Sequence, residues 1–346
     1  MANKVDLRSL TPPALADLTR ELGADSYRSG QIARWVWQKG AAAVAEMTDL
    51  PQALRGRLDE IAELAPVSLV KQLISREDGT RKYLFAFADG EMVESVLMRY
   101  SYGLTACVST QAGCRMGCRF CASGLNGLAR NLSAGEIYAQ VLGMQKDRGE
   151  RIGHVVLMGS GEPLDNYDAT LTFIKNITAP YGLNISERRL TLSTCGLAPR
   201  ILELGAAKLA LTLAVSLHAP NDNLRNQLMP INKKYPLKQL IAACRAYANL
   251  TGRRVTFEYA LIDGVNDQPA QAVELAGLVR GLLSHVNLIA VNPAPELGVK
   301  PPVRSRVAAF KNVLEQNGVA VSVRRKLGGE ITAACGQLRN RAREAP

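Results

Sequence analysis

Aromatic residues and long apolar runs are both scarce in this sequence. Phe, Trp and Tyr make up 5% of the 346 residues, so a nucleic-acid surface built on stacked aromatic rings is not indicated. No run approaches the ~20 apolar residues that cross a bilayer, and the nearest one, residues 205–219, is interrupted by Lys208 and His218. The first ten residues also lack the apolar core of a secretory signal. We therefore expect a cytoplasmic protein with no membrane contact.

The sequence has seven cysteines and an excess of positive charge. Thiols stay reduced in the cytoplasm, so the cysteines indicate metal binding or catalysis before structural disulfides. The formal net charge is +11, and a cationic surface binds polyanions in a salt-dependent way. Basic residues cluster at 233–234, at 324–326 and in the tail after Cys335. This charge makes RNA a reasonable partner. The alternative is a chain that is basic without binding a polyanion.

The first third of the chain changes character once. Residues 1–66 are predicted to be helical, with one helix opening after Thr11, where two prolines follow, and another opening at Pro51. Residues 67–102 alternate apolar and polar side chains and have a turn at Gly90. This alternation indicates a strand-rich linker segment.

From residue 103 onward, short apolar strands alternate with helical segments. Residues 133–136 form a capping box that opens the first of these helices, and Gly318 ends the last one. Six strand–helix units in a row indicate a parallel sheet, either an open doubly wound sheet or a partial (βα)6 barrel. In both cases the functional site lies at the carboxyl ends of the strands. The predicted strands are residues 105–109, 154–158, 189–193, 211–216, 255–261 and 286–291, followed by a last one at 319–323.

Three cysteines are spaced as C-x3-C-x2-C at Cys114, Cys118 and Cys121. Three thiolates on one short loop can hold three irons of a cubane cluster and leave the fourth iron open to a substrate. A zinc site, the alternative, needs four ligands and usually two C-x2-C pairs, whereas only one such pair is present. We therefore predict a [4Fe–4S] cluster on these three residues.

This cysteine spacing after a first strand resembles that of the radical S-adenosylmethionine superfamily. The resemblance implies an α/β fold in which residues 103–346 form a partial (βα)6 TIM-type barrel with a C-terminal extension. It also implies that the open iron binds the amino and carboxylate groups of S-adenosylmethionine. One electron then breaks the S–C5′ bond and gives a 5′-deoxyadenosyl radical. A flavodoxin- or ferredoxin-type protein is the expected electron donor.

Longer segments resemble the RlmN/Cfr family within this superfamily. They include VSTQAGCRMGCRFCASG, MGSGEPLDNYD, AVSLHAPNDNLRNQLMPINKKYPL and ITAACGQL, and the resemblance runs from about residue 26 to residue 338. It implies an S-adenosylmethionine-dependent RNA methyltransferase that modifies C2 of adenosine 2503 in 23S rRNA and of adenosine 37 in some tRNAs. It further implies that residues 1–66 form an accessory domain that helps to grip RNA.

The resemblance also assigns the catalytic residues. Cys335 would carry the methyl group as S-methylcysteine, and Cys107 would release the product by forming a transient disulfide with Cys335. Glu94 would accept the proton that leaves C2. Without the resemblance, we would interpret Cys335 as a core residue and Glu94 as a solvated strand residue. For Cys107, a buried strand cysteine would be as good an interpretation as a catalytic one.

The contacts with S-adenosylmethionine follow from the same resemblance. Gly161 would allow close backbone approach, and Glu162 would accept hydrogen bonds from the methionyl ammonium. The other positions end later strands, where a ligand lying across the carboxyl edge of the sheet would meet them, although each could be an ordinary loop residue. They are Ser193, Ser216, Leu217, His218 and Asn292.

Two segments depart from the family pattern. Cys195 stands where the family commonly has serine, which we interpret as a conservative exchange near the cofactor. Residues 327–330 replace a sequence more often written Arg-Gly-x-Asp, and this leaves open how the loop before Cys335 is held.

Two other functions stay open. The Cfr branch methylates C8 of the same rRNA adenosine and shares the cluster and both cysteines. Pro163 favours the C2 branch, because the C8 branch tends to have alanine at this position. Leu327, by contrast, is apolar, like the corresponding residue of the C8 branch. A non-catalytic iron–sulfur protein, either an electron carrier or an RNA-binding module, is the second alternative. A carrier should have four cluster cysteines, and a binding module would not need Cys107 and Cys335. No interface signal is evident, so a monomer is expected.

Overall fold

The computed structural model describes residues 4–292 and 297–331. Its N-terminal part is helical, as predicted, with α1 at Pro12–Glu21, α2 at Tyr27–Ala33 and α3 at Gln52–Ile61. The Thr11 hydroxyl accepts a hydrogen bond from the Ala14 amide at 3.4 Å and so caps α1.

Two further features complete the N-terminal part. A wider helical turn, Arg34–Lys39, continues α2 and ends at Gly40, whose φ of +65° suits glycine. The short strands β1 (Val5–Asp6) and β2 (Ala62–Glu63) pair in parallel. Because β2 follows α3, this pairing joins the beginning and the end of the N-terminal part.

The rest of the described chain is built on strands followed by helices. The strands are β3 (Val67–Ile74), β4 (Arg81–Phe87), β5 (Met92–Tyr100), β6 (Gly103–Cys107), β7 (Gln111–Gly113), β8 (Leu128–Asn131), β9 (Ile152–Leu157), β10 (Leu190–Thr194), β11 (Thr212–Ser216), β12 (Val255–Leu261), β13 (Ser284–Ala290) and β14 (Val321–Val323). The helices are α4 (Ala134–Arg148), α5 (Tyr167–Thr178), α6 (Ala198–Ala206), α7 (Asp222–Leu228), α8 (Leu237–Thr251), α9 (Pro269–Val279) and α10 (Arg304–Gln316).

Ten of these strands form one sheet in the order β14-β13-β12-β11-β10-β9-β6-β5-β4-β3. Strands β7 and β8 form a separate antiparallel pair, and the other strands from β6 to β14 are parallel neighbours in chain order. A doubly wound sheet reverses its strand order at a switch point, and the described part of this sheet has no such reversal. The fold is therefore α/β with a partial barrel, as the resemblance implied, and the doubly wound alternative is wrong.

Residues 67–102 are strand-rich, as predicted, and they extend this sheet. Strands β3, β4 and β5 add to β6 in an antiparallel arrangement, with a turn at Gly90 (φ +83°) between β4 and β5. The segment thus contributes three strands to the sheet that carries the parallel strands. The division of the chain at residues 66 and 102 stays a prediction.

The N-terminal part packs on the outside of the barrel against α4 and α5. The Tyr138 hydroxyl on α4 donates to the carbonyl oxygen of Trp37 at 3.0 Å. Gly135, in the first turn of α4, lies so close that a Cβ there would be 2.0 Å from Oδ2 of Asp6. The predicted capping box of α4 is confirmed, because Ser133 and Glu136 each bond the other's backbone amide.

The two faces of the sheet are packed differently. Val93, Leu97 and Ala106 point outwards and join the main core beneath the helices. The inward positions include a small separate cluster of Val96, Met98 and Cys107. Because side chains alternate between the two faces of a strand, the inner face is the one that carries the cavities described below. Within residues 4–292 and 297–331, no helix is long and apolar enough to cross a membrane.

Candidate active site

A cavity of about 210 Å³ lies at the carboxyl ends of the parallel strands. It brings the cysteine triplet together with most of the residues predicted to bind S-adenosylmethionine. The predicted residues that line it are Cys114, Cys118, Cys121, Gly161, Glu162, Ser193, Ser216 and His218.

The cysteine loop follows β7 and is held by backbone hydrogen bonds. The Cys114 amide donates to the Gly127 carbonyl at 2.9 Å, and the Arg119 amide donates to the Leu228 carbonyl at 3.0 Å. The loop is therefore fixed both to Gly127, the residue before β8, and to the end of α7.

The donor set suits an iron–sulfur cluster. All three cysteines are reduced thiols, and burial raises the pKa of Cys114 to about 12 and also raises that of Cys118. Such thiols keep their protons until a metal displaces them. In the part of the chain that the structure describes, no three His, Cys, Asp or Glu side chains group around a single metal ion. A cubane takes one thiolate per iron, so the three cysteines need not meet at one point.

Glu162 is buried and fixed in the wall of this cavity. Its Oε1 accepts from the Leu164 amide at 3.0 Å, and its Oε2 accepts from the Cys195 amide at 2.7 Å. Burial raises the pKa of Glu162, while these hydrogen bonds oppose the rise. Gly161 has a φ of +104°, and a Cβ there would lie 2.6 Å from Gln111. Only glycine fits this close approach to β7, and its approach to the cofactor stays a prediction.

His218 also lines the cavity and is held in one tautomer. Its Nδ1 accepts from the Ala260 amide at 2.9 Å, so the neutral ring carries its proton on Nε2. Burial, with the nearby charge of Arg225, lowers the pKa of His218 to about 3. Its neighbour Leu217 behaves differently, since its side chain is fully buried in the main core. Any contact between Leu217 and the cofactor would have to be made by its backbone, whose amide already donates to the Glu258 carbonyl at 3.0 Å.

Arg225 organises the cavity wall but was not among the predicted site residues. Its guanidinium is fully buried and donates to the carbonyls of Leu217 (3.1 Å), Cys195 (2.7 Å) and Ser216 (3.1 Å). These bonds join the ends of β10 and β11. The quoted family segment contains Arg225, but its spacing alone does not indicate that an arginine is buried.

A second cavity, of about 260 Å³, adjoins the first and contains Cys107. The two cavities share the side chains Met158, Ile289 and Arg324 as lining. Asn292 lines this second cavity and not the first, so the structure separates it from the other predicted cofactor contacts. Other residues of its wall are Thr80, Val96, Met98, Tyr100, Arg325, Lys326 and Leu327.

Glu94 is buried, so its interpretation as a solvated residue is wrong. Its side chain is 2% exposed and forms an ion pair with Lys82, Oε2 to Nζ 2.8 Å. It lies one inward position along β5 from Val96, which lines the second cavity. The strand pattern does not single out Lys82, because alternation does not say which face of β4 is buried.

The loop of residues 327–330 is fixed to the turn between β3 and β4. The Gly328 amide donates to Oδ2 of Asp78 at 2.8 Å, and a carboxylate oxygen of Glu330 accepts from the Arg76 amide. The departure from the family sequence here is therefore accommodated by backbone contacts. Cys195, the other departure, is buried and lines the first cavity. Cys335 lies outside the described residues.

Comparison with known proteins agrees with this arrangement. The family described as the radical SAM superfamily matches residues 108–276. The crystal structure of a radical SAM methyltransferase from Sphaerobacter thermophilus superposes with a TM-score of 0.92 at 45% identity, covering 96% of this chain and 98% of that one. Fold and cavity therefore define a radical S-adenosylmethionine protein.

More specific matches extend over the whole length. The ribosomal RNA large subunit methyltransferase N-terminal domain matches residues 5–64. A protein of Pelotomaculum thermopropionicum called probable dual-specificity RNA methyltransferase RlmN is 60% identical over 99% of this chain and 93% of its own length. A protein of Desulforamulus reducens with the same name is 52% identical over 98% of this chain and 97% of its own length. The chain belongs to the RlmN family of radical S-adenosylmethionine methyltransferases.

Proposed function

We propose that this chain methylates C2 of adenine in RNA, at adenosine 2503 of 23S rRNA and adenosine 37 of some tRNAs. The observation that carries the proposal is the pair of adjoining cavities. One is lined by the cysteine triplet and the other by Cys107, and they share Met158, Ile289 and Arg324. A radical formed in the first cavity would thus arise next to the second.

The chemistry of the target explains why a radical is needed. C2 of adenine is electron-poor and has no lone pair, so it cannot attack the methyl group of a sulfonium directly. A carbon radical can add to such a position. An enzyme for this reaction therefore needs a radical source beside the methyl carrier.

Cys114, Cys118 and Cys121 would hold the [4Fe–4S] cluster, which when bound and reduced supplies the electron for cleavage of S-adenosylmethionine. Gly161 and Glu162 would bind its methionyl part, since Glu162 is fixed by two backbone amides. The remaining polar contacts would come from Ser193, Ser216 and His218, with the backbone of Leu217. Asn292 would act from the adjoining cavity.

The methyl transfer would use two cysteines outside the triplet. The Cys335 thiolate receives a methyl group from one S-adenosylmethionine, which leaves as S-adenosylhomocysteine. The methylated Cys335 loses one hydrogen atom to the 5′-deoxyadenosyl radical formed from a second S-adenosylmethionine, and adds to C2 through the resulting carbon. Glu94 accepts the C2 proton, and the electron pair of that C–H bond stays in the ring. The ring then gives up the one unpaired electron that the radical addition left on it, and this electron would return to the oxidised cluster. The Cys107 thiolate then attacks the Cys335 sulfur, so that an S–S bond forms and the S–CH2 bond breaks. The released carbon takes a proton and becomes the methyl group.

The RNA would be held by cations at the rim of the second cavity. Arg324, Arg325 and Lys326 line it and can neutralise phosphates. We also propose that the N-terminal helices contribute to RNA binding, that a flavodoxin- or ferredoxin-type protein donates the electron, and that the enzyme acts as a monomer in the cytoplasm.

The C8 alternative is not favoured, because the relatives reported above carry the RlmN name. A non-catalytic iron–sulfur protein would not require a cysteine in the wall of the neighbouring cavity.

Analysis of RNA nucleosides by mass spectrometry tests the proposal. We expect that depleting the protein in its host removes 2-methyladenosine from 23S rRNA and from tRNA, and that the wild-type gene restores it. Loss of 8-methyladenosine would favour the Cfr-type reaction instead. Unchanged nucleosides would contradict both.

A further inference from the structure

A lysine and a glutamate form an ion pair inside the antiparallel part of the sheet. Nζ of Lys82 on β4 lies 2.8 Å from Oε2 of Glu94 on β5, and the two side chains are 0% and 2% exposed. Fully buried lysines are rare in proteins unless they are paired. The removal of both charges from water is costly, so the pair calls for an explanation.

Lys82 lies in the same inward-facing row as Cys107, and Glu94 lies in the next inward-facing row. Lys82 is the cross-strand neighbour of Val96, and Val96 is the neighbour of Cys107 on β6. Lys82, Val96 and Cys107 therefore form one row across three strands. Neighbouring strands lie about 4.8 Å apart, so the Cα atoms of Lys82 and Cys107 are about 10 Å apart. Val96 and Cys107 both line the second cavity.

The backbone around Glu94 is also fixed to the cofactor side. The Ser109 hydroxyl donates to the Glu94 carbonyl at 2.6 Å and accepts from the Ser160 amide at 2.8 Å. Ser160 directly precedes Gly161. The position of Glu94 is thus tied to the loop that carries Gly161 and Glu162.

We propose that Lys82 is a positioning residue for the proton transfer, which supplies the opposite charge to the buried Glu94 carboxylate and holds its Oε2 in place beside the second cavity. This inference rests on the function proposed above. In that reaction the C2 proton moves to a Glu94 oxygen, and the C–H electron pair stays in the adenine ring. Without its cationic partner the buried carboxylate loses the ion pair that fixes it, so the Glu94 oxygen would no longer be held where the C2 proton must arrive.

The variants Lys82→Met and Lys82→Arg test this role. Lys82→Met removes the charge, and we expect it to lower the rate of 2-methyladenosine formation at least tenfold. S-methylation of Cys335 and formation of 5′-deoxyadenosine precede the proton transfer, so they should continue. A covalent protein–RNA adduct should then accumulate, and deuterium at C2 should slow turnover more than in the wild type. Lys82→Arg keeps a cation and should restore most of the activity.

Arg81→Met is the matched control. Arg81 is the next residue of β4, faces the other side of the sheet, and forms its own ion pair with Asp147 at 2.6 Å. This variant loses an ion pair from the same strand and should show neither the adduct nor the larger isotope effect. The double variant Lys82→Met/Glu94→Gln should be no slower than Glu94→Gln alone, since both changes act on one step.

Three results would separate the possibilities. If the wild type forms 2-methyladenosine and Lys82→Met forms it at the same rate without an adduct, Lys82 has no positioning role. If Lys82→Met fails to fold, Lys82→Gln decides, because it keeps a hydrogen-bond donor but no charge. A slower rate with the adduct in folded Lys82→Gln supports the role, and a wild-type rate without an adduct overturns it. If the wild type forms no 2-methyladenosine, the proposed function itself fails.

Discussion

Cys107 is the last residue of β6, is 5% exposed and lines the second cavity. Its proposed task is to break the bond between the protein and the methylated RNA. Cys107→Ala should therefore leave the cluster intact and trap protein covalently bound to RNA, which a denaturing gel would reveal. Cys244→Ala is the control, because Cys244 is buried in the main core. Free product at the normal rate from Cys107→Ala would refute the role.

His218 should make the folded protein less stable in acid. Burial, with the charge of Arg225, lowers its folded-state pKa to about 3, whereas an unfolded histidine has a pKa of about 6.5. Between these values the unfolded chain binds a proton that the folded chain does not. The free energy of unfolding therefore falls by up to about 1.4 kcal/mol per pH unit below about pH 6.5.

The variant His218→Asn tests this contribution, because the Asn oxygen can still accept from the Ala260 amide. We expect the drop in thermal midpoint between pH 7.5 and pH 5.5 to be smaller in the variant than in the wild type. Equal drops would show that His218 does not cause the acid sensitivity.

At the scale of elements, Gly135 fixes how closely the N-terminal part approaches α4. A Cβ there would lie 2.0 Å from Oδ2 of Asp6 and 2.9 Å from Cβ of Arg8. We expect Gly135→Ala to lower the free energy of unfolding by about 1–3 kcal/mol, because the two surfaces must move apart. Gly30→Ala on α2 is the control, since nothing lies within 4 Å of its added Cβ. A Gly135→Ala protein as stable as Gly30→Ala in urea titration would contradict this packing.

Local signals predicted the elements well where they act within one segment. The capping box of Ser133 and Glu136, the prolines after Thr11 and Gly318 after α10 all lie at the predicted helix ends. The positions of β9 to β13 followed from short apolar runs. The spacing of the triplet likewise predicted a shared loop, and its cysteines line one cavity.

Other features depend on partners that are distant in sequence. The pairing of β5 with β6, which makes residues 67–102 part of the barrel sheet, is a matter of tertiary register. Alternation in β4 and β5 shows two faces but not which one is buried, so Glu94 was expected in solvent and Lys82 was missed. Arg225 is buried because three carbonyl groups from two strand ends meet around it, and spacing carries no information on that.

At the scale of the whole molecule, the charge of +11 predicts salt-dependent RNA binding. Arg325 lines the second cavity and would contact a phosphate. Arg325→Ala should weaken RNA binding and reduce the slope of log affinity against log salt by about 0.7–0.9. Arg188→Ala is the control, because Arg188 precedes β10 at the opposite end of the strands. Equal slopes for the two variants in a filter-binding titration would place the RNA elsewhere.

In the proposed function the methyl group passes from S-adenosylmethionine through Cys335 to C2 of adenine. S-adenosylmethionine with a fully deuterated methyl group tests this route directly. If the methyl group passes through Cys335 and loses one hydrogen atom to the 5′-deoxyadenosyl radical, the product is 2-methyladenosine with two deuterium atoms in its methyl group. The third should appear in 5′-deoxyadenosine, in equal amount. A methyl group that keeps all three deuterium atoms, or turnover without labelled 5′-deoxyadenosine, would contradict the account.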